Sequence, residues 1–271
     1  MRILKYLFLI GFISFFSCDI IEEPYMNPVV QNPDSAEVVQ KVLLEEFTGH
    51  QCPNCPGGAE TATQLHQVYG DRFIVIAYHA GWFARTSDEF PVEYRTEVGE
   101  ELNEQFGVLA YPSGLVNRTS VNSNILLNPA EWGAVTYDIL ENSPVLQLIV
   151  SKNYNQETKS LSVSVTSKTL QDVEEIKVCV FITEDDLISP QKTPDGVNNN
   201  YIHNHVFRTS LNGTWGTTIF EGGAGSEESQ TIMVNAVLSA EWNINSLNIV
   251  CFAYNVISGE VIQVESIKLV E

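Results

Sequence analysis

The sequence predicts an α/β half followed by an all-β half. Residues 39–142 alternate apolar, strand-like runs with stretches of helical period. A dithiol stretch, Cys52-Pro53-Asn54-Cys55, falls between the first such strand and the first such helix. From Val145 onward the chain reads as strand after strand.

The elements follow in order. Residues 39–47 form a strand, 59–69 a helix and 72–79 a second, buried strand. Residues 80–89, with Gly81, Trp82 and Phe83, are an irregular insertion. Residues 90–106 read as a helix because Val92, Val98, Leu102 and Phe106 are spaced for one face. A strand over 111–117 follows Pro112. Asn128-Pro129-Ala130-Glu131 is a helix start: the Asn caps, the proline takes the first helical position and the acid complements the dipole. That helix runs to about residue 142. Strands over 145–154 and 160–169 form a hairpin. Further strands span 175–184, 201–211, 229–235, 246–254 and 260–270. About seven strands over this length fit an immunoglobulin-like β-sandwich. The expected division is a signal segment over 1–17, a tether over 18–37, an α/β domain over 38–142 and a β-sandwich over 145–271. The boundary falls at Asn142-Ser143-Pro144.

The CxxC pair has three readings. Two cysteines after a strand, at the start of a helix, form a redox pair in the thioredoxin fold. The helix N-terminus offers unpaired N–H groups and positive dipole charge, which stabilise a thiolate at Cys52. Cys55 then resolves the mixed disulfide. The pair is otherwise a structural disulfide, or half of a zinc site. Zinc needs two more ligands, and no second CxxC or HxxxH run supplies them, so no metal and no cofactor is expected. His203 and His205, at spacing two on one strand face, lack an obvious third ligand.

The segment Phe106-Gly107-Val108-Leu109-Ala110-Tyr111-Pro112-Ser113-Gly114 resembles the thioredoxin segment in which Gly-Val leads to an X-Pro-Ser/Thr turn and a strand. The resemblance implies that Pro112 is cis and packs opposite the disulfide, and that Tyr111 exposes backbone groups to an incoming peptide. His50 stands two residues before Cys52, where a protonated imidazole lowers a thiol pKa. The tryptophan usual just before the first cysteine is Gln51 here.

The N-terminus reads as a targeting segment. Arg2 and Lys5 precede an apolar run over 7–16 that is short for a membrane span. Ser17-Cys18 ends it and resembles a bacterial lipoprotein cleavage site, with Phe15 in place of the usual leucine. Cleavage there would leave Cys18 acylated and the protein held to a membrane by its lipid. Asp19, Glu22 and Glu23 resemble a surface-export signal, and Pro24, Pro28 and Pro33 make an extended tether. Loss of residues 1–17 moves the formal net charge from −20 to −22. Such acidity disfavours nucleic acid and anionic membrane surfaces as partners. Of the remaining cysteines, Cys179 and Cys251 lie in strand-like runs. They are either a second disulfide or, as facing strands seldom bring two cysteines to bonding geometry, separate buried thiols.

A lipoprotein signal, Gly49-His50-Gln51-Cys52-Pro53-Asn54-Cys55, His203-Asn204-His205-Val206-Phe207-Arg208 and Gly213-Thr214-Trp215-Gly216 together resemble the outer membrane protein twenty-eight related family of Bacteroidota lipoproteins. The resemblance implies a cell-envelope, outer-membrane location. Two functions are expected. One is thiol–disulfide exchange with envelope proteins, carried by Cys52, Cys55, Pro112, Tyr111 and His50. The other is a non-enzymatic surface lipoprotein whose thioredoxin-like part is a scaffold and whose sandwich binds a protein or glycan.

Overall fold

Strand β1 (Val42–Thr48) is buried along its whole length, as is β2 (Phe73–His79). Their near-continuous apolar runs suit strands covered on both faces. They pair in parallel, connected by helix α1 (Cys55–Tyr69). This computed structural model describes residues 38–270. Helix α1 starts at Cys55 rather than at residue 59. Pro56 is tolerated in its first turn, where an N–H would have no helical partner.

Helix α2 (Glu97–Gln105) is shorter than its apolar spacing suggested. Thr96 caps it, its side chain accepting from the Gly99 N–H at 2.9 Å. Residues 90–96 are not helical. Phe90 and Tyr94 are instead buried, each within ring contact of His50, while Val92 is exposed. Strand β3 (Ser113–Val116) runs antiparallel to β1. Helix α3 (Pro129–Leu140) has the expected start, a full capping box between Asn128 and Glu131. Helices α1 and α3 bury Ala62, Trp132, Val135 and Leu140 against Val42, Leu44, Phe73 and Val75.

The second half supplies β4 (Leu146–Asn155), β5 (Ser160–Thr169), β6 (Ile176–Glu184), β7 (Leu187–Thr193), β8 (Gly196–His203), β9 (Val206–Ser210), β10 (Thr217–Ile219), β11 (Ser229–Val237), β12 (Leu247–Asn255) and β13 (Val261–Lys268). The expected strand over 201–211 is two strands, broken where His205 adopts a φ of 57°. His203 and His205 therefore do not share a strand face. The hairpin of β7 and β8 and the short β10 have no counterpart in the sequence expectation.

One eight-stranded sheet joins the two halves, in the order β13-β12-β6-β9-β2-β1-β3, with β10 on β6. The free edge of β2 is taken by β9, and the Ala77 N–H donates to the His205 carbonyl at 2.8 Å. A separate sheet, β11-β5-β4, packs Leu148, Leu161, Val163 and Val165 onto the Val178, Val180, Ile249 and Ala253 face. A sandwich exists, but one of its layers is the shared sheet. The boundary expected at Pro144 consequently separates no compact units: Val38–Glu271 is one. A second core explains why. Leu43, Phe47, Ile76 and Tyr78 from the first half pack with Phe181, Phe207 and Phe252 from the second.

Cys179 and Cys251 are free and buried. Cross-strand partners share a face, and Cys251 lies opposite Val180, whereas Cys179 lies opposite Phe252. The two sulfurs thus serve different cores on opposite faces. Burial pushes the Cys179 thiol up to about 12 and the Cys251 thiol higher still.

Candidate functional site

Cys52 and Cys55 are joined in a disulfide, their Cα atoms 5.4 Å apart. Cys52 sits in the turn after β1 and Cys55 in the first turn of α1, so the pair spans the helix N-terminus. Two tight approaches fix the turn. A Cβ at Gly49 would lie 2.5 Å from the Phe83 backbone, which lets the 80–89 insertion dock under the motif. The Gln51 N–H then donates to the Phe83 carbonyl at 2.9 Å. A Cβ at Gly58 would meet Glu46 Oε1 at 2.8 Å and Pro112 Cβ at 2.9 Å, so α1 rests on both residues. The Tyr111–Pro112 peptide is cis. The Tyr111 hydroxyl donates to Asn103 Oδ1 at 2.5 Å, and its ring meets Phe83 edge-on. The structure thus gathers Pro112 at the first turn of α1, with Tyr111 directly before it.

His50 does not fill the role expected of it. It is 1 % exposed, stacks on Phe90, and its Nε2 pairs with the Arg85 carbonyl at 2.9 Å. Burial lowers its pKa, so the ring is neutral near pH 7 and brings no positive charge to the thiols.

The hairpin of β7 and β8 lies over the motif. Gln191, 2 % exposed, donates from Nε2 to the Cys52 carbonyl at 2.9 Å, and the Lys192 N–H donates to the His50 carbonyl at 2.7 Å. Tyr94 donates to Ser189 Oγ at 3.0 Å. With this cover Cys52 is 1 % and Cys55 2 % exposed.

Glu46 is a candidate site residue that the sequence reading missed. It is 3 % exposed, and its Oε1 has no hydrogen-bond partner among the described residues. Desolvation raises its pKa to about 8, so it holds a proton at neutral pH. The available signal was an acid within a strand that reads as buried on both faces. Its neighbour Glu45 is differently served: Arg118 grips it from Nε at 2.6 Å and from a terminal nitrogen at 2.8 Å.

A cavity of about 530 Å³ opens beside the pair, lined by Glu46, Cys55, His79, Gln191, Tyr201 and His203 among others. His79 and His203 face each other with ring centroids 5.4 Å apart. Both ring nitrogens of His79 and Nε2 of His203 lack hydrogen-bond partners among the described residues. Burial lowers both pKa values, His203 to about 4. Among the described residues no group of three His, Cys, Asp or Glu is placed to hold a metal ion.

The remaining motif residues build the frame. The Asp186 N–H donates to Asn204 Oδ1 at 3.0 Å, and Arg208 pairs with Glu184 at 3.2 Å. Thr214 Oγ1 and Trp215 Nε1 donate to the two carboxylate oxygens of Glu101 on α2, at 2.5 and 2.8 Å. Gly216 has a φ of 70°, and a Cβ there would lie 2.3 Å from the Val178 carbonyl oxygen.

The family model described as outer membrane protein Omp28 matches residues 99–271. The chain belongs to the Omp28 family. Its match holds the His203–Arg208 and Gly213–Gly216 stretches. Omp28 membership places the chain in the cell envelope at the outer membrane, as the sequence expected. Among solved structures, HBP35 of Porphyromonas gingivalis superposes with a TM-score of 0.66 at 16 % identity, over 86 % of this chain and 76 % of that one. A structural-genomics protein from Agrobacterium tumefaciens gives 0.54 at 14 % identity, over 87 % and 97 %. A domain of the outer membrane lipoprotein Omp28 from Porphyromonas gingivalis gives 0.35 at 20 % identity, over 46 % and 88 %. The likeness to HBP35 shows a mixed α/β fold with extensive sheet. A search of curated proteins found no match. Among the described residues no helix is long and apolar enough to cross a membrane. The expected signal segment, tether and lipid-bearing Cys18 lie outside the described residues.

Proposed function

We propose that this Omp28-family protein is an outer-membrane lipoprotein, anchored through Cys18, whose thioredoxin-like part carries out thiol–disulfide exchange. The observation that carries the reading is the Cys52–Cys55 disulfide at the N-terminus of α1, whose Gly58 packs against both Glu46 and cis Pro112. In the reduced pair Cys52 is the attacking thiolate, favoured by the positive end of the α1 dipole. Cys55 resolves the mixed disulfide. Glu46, protonated up to about pH 8, supplies a proton to the departing thiolate and takes it back when the disulfide re-forms. Tyr111 and Pro112 shape the groove for the partner.

A redox titration of the mature protein, with thiol alkylation at each potential, tests this. Exchange predicts a reversible two-electron transition within the span of cellular dithiols, and faster alkylation of Cys52 than of Cys55. One observation favours a second reading, that of a scaffold with a structural staple: both cysteines are 1–2 % exposed. A pair that stays oxidised down to roughly −300 mV, as structural disulfides do, would establish the scaffold instead.

A further inference from the structure

The cover over the disulfide sets the size of what can reach it. The β7–β8 hairpin closes the Cys52 side through Gln191 and Lys192. A folded partner presents a bulky surface and cannot bring a sulfur to Cys52, 1 % exposed beneath that hairpin, without displacing it. The cavity offers another way in. Of the two cysteines it is Cys55 that lines it, and its volume of about 530 Å³ falls in the range of small-molecule sites, roughly 300–1,000 Å³. Three residues of its wall carry buried polar atoms without a hydrogen-bond partner among the described residues: Glu46 Oε1, both nitrogens of His79 and Nε2 of His203. Each of these residues is at least nine-tenths buried. Buried polar groups demand partners. Neutral imidazoles offer both a donor and an acceptor, and a protonated Glu46 adds a donor.

We propose that this cavity is a binding site for a low-molecular-weight thiol bearing amide or carboxyl groups, such as cysteine or a short cysteine peptide, and that such a thiol recharges the Cys52–Cys55 pair. The inference rests on the exchange reading above. The small thiolate attacks Cys55 Sγ from the cavity, and the Cys52–Cys55 bond breaks. Cys52 leaves as the thiolate held at the helix start. A second small thiolate attacks the small-molecule sulfur of the mixed disulfide and releases Cys55 as a thiolate, which takes a proton from Glu46. The products are the dithiol protein and one oxidised small disulfide, so two electrons pass from two thiols to the protein. Glu46, His79 and His203 bind and orient the incoming molecule through its amide and carboxyl groups.

The test compares rates of disulfide reduction in the intact mature protein, read by alkylation and mass. The reductants are reduced glutathione, dithiothreitol and a folded protein dithiol, reduced thioredoxin. Expected is reduction by glutathione at least tenfold faster than by thioredoxin at equal thiol concentration, with the transient glutathione adduct on Cys55. Thr63→Trp and Asn200→Trp, at exposed positions of the cavity wall, should each slow glutathione at least tenfold. Gln191→Ala, which frees the hairpin from the Cys52 carbonyl, should raise the thioredoxin rate. Thioredoxin matching glutathione, or glutathione unaffected by both tryptophans while the variants keep the parent circular dichroism, would overturn the inference alone. No reduction by dithiothreitol at any potential tested would overturn the exchange reading beneath it.

Discussion

Glu45 and Glu46 are chain neighbours on β1 whose side chains point to opposite faces, and their surroundings decide what each does. Glu45 meets Arg118 in a two-pronged pair with almost no solvent and also accepts from the Tyr78 hydroxyl at 3.1 Å. The Arg118 guanidinium lies over the rings of Phe106, Phe252 and Tyr254, so the pair bridges both halves of the chain. Arg118→Met should destabilise by about 3–5 kcal/mol, because Glu45 would be left buried without its counter-charge. Urea unfolding measures this, and the double change with Glu45→Gln should recover part of the loss. Glu46 has no such partner among the described residues. Its carboxyl moves from the ordinary 4.5 to about 8 on folding, so the folded state holds its proton more tightly than the unfolded chain. That contribution is complete below pH 4.5 and is lost as pH rises toward about 8, with a slope of at most about 1.4 kcal/mol per pH unit. Glu46→Gln should flatten the stability profile across that window and slow disulfide exchange roughly a hundredfold, the lower bound for a general acid–base group. A profile unchanged by the substitution would show that Glu46 is not held neutral.

At the scale of elements, local chemistry was legible wherever one signal dominated. Helix α3 announced itself through Asn128, Pro129 and Glu131, and the structure adds the reciprocal bond that makes the capping box. Asn128→Ala should lower stability by about 1 kcal/mol, visible in thermal melts, since its side chain accepts from the Ala130 N–H. Strand β5 was equally plain, because its buried Leu161, Val163 and Val165 alternate with polar residues. Helix α2 was overextended because Val92 happens to continue its apolar spacing. Pro91 and the burial of Phe90 and Tyr94 against His50 hold that segment in another conformation. The β7–β8 hairpin was invisible for a different reason. Asn198, Asn199 and Asn200 give β8 no apolar alternation, and Pro190 interrupts β7. The hairpin is held by hydrogen bonds to residues far away in sequence, Gln191 to Cys52 among them, and no local pattern encodes those. The site divides in the same way. Cys52, Cys55 and Pro112 stand in a recognisable local order, whereas His79, Gln191 and His203 come together only through the long-range pairing of β2 with β9.

For the whole molecule, the helix end and proline at Asn142–Pro144 suggested two domains, and the suggestion failed because sheet edges and cores are not visible in local composition. The two periodicities are real, but β2 presents an edge that β9 closes. The aromatic residues that cover one face of β1 and β2 come from β6, β9 and β12. A fragment ending at residue 142 would therefore expose Leu43, Phe47, Ile76 and Tyr78 together with an unpaired strand edge, an association-prone combination. A fragment starting at 145 would expose Phe181, Phe207 and Phe252 on a sheet lacking its other half. Burying a side chain of this kind contributes about 1.5–3 kcal/mol, so the losses in each fragment are comparable to the roughly 5–15 kcal/mol by which a typical domain is stable. Residues 38–142 and 145–271 prepared separately should aggregate or show broad, non-cooperative melts. Residues 38–271 should unfold in one cooperative transition, with fluorescence and circular dichroism coinciding. Mixing the two fragments during refolding should restore part of the native signal, since the missing surfaces are each other's. Two sharp, independent melts whose sum reproduced the intact protein would instead show that the shared sheet contributes nothing to cohesion.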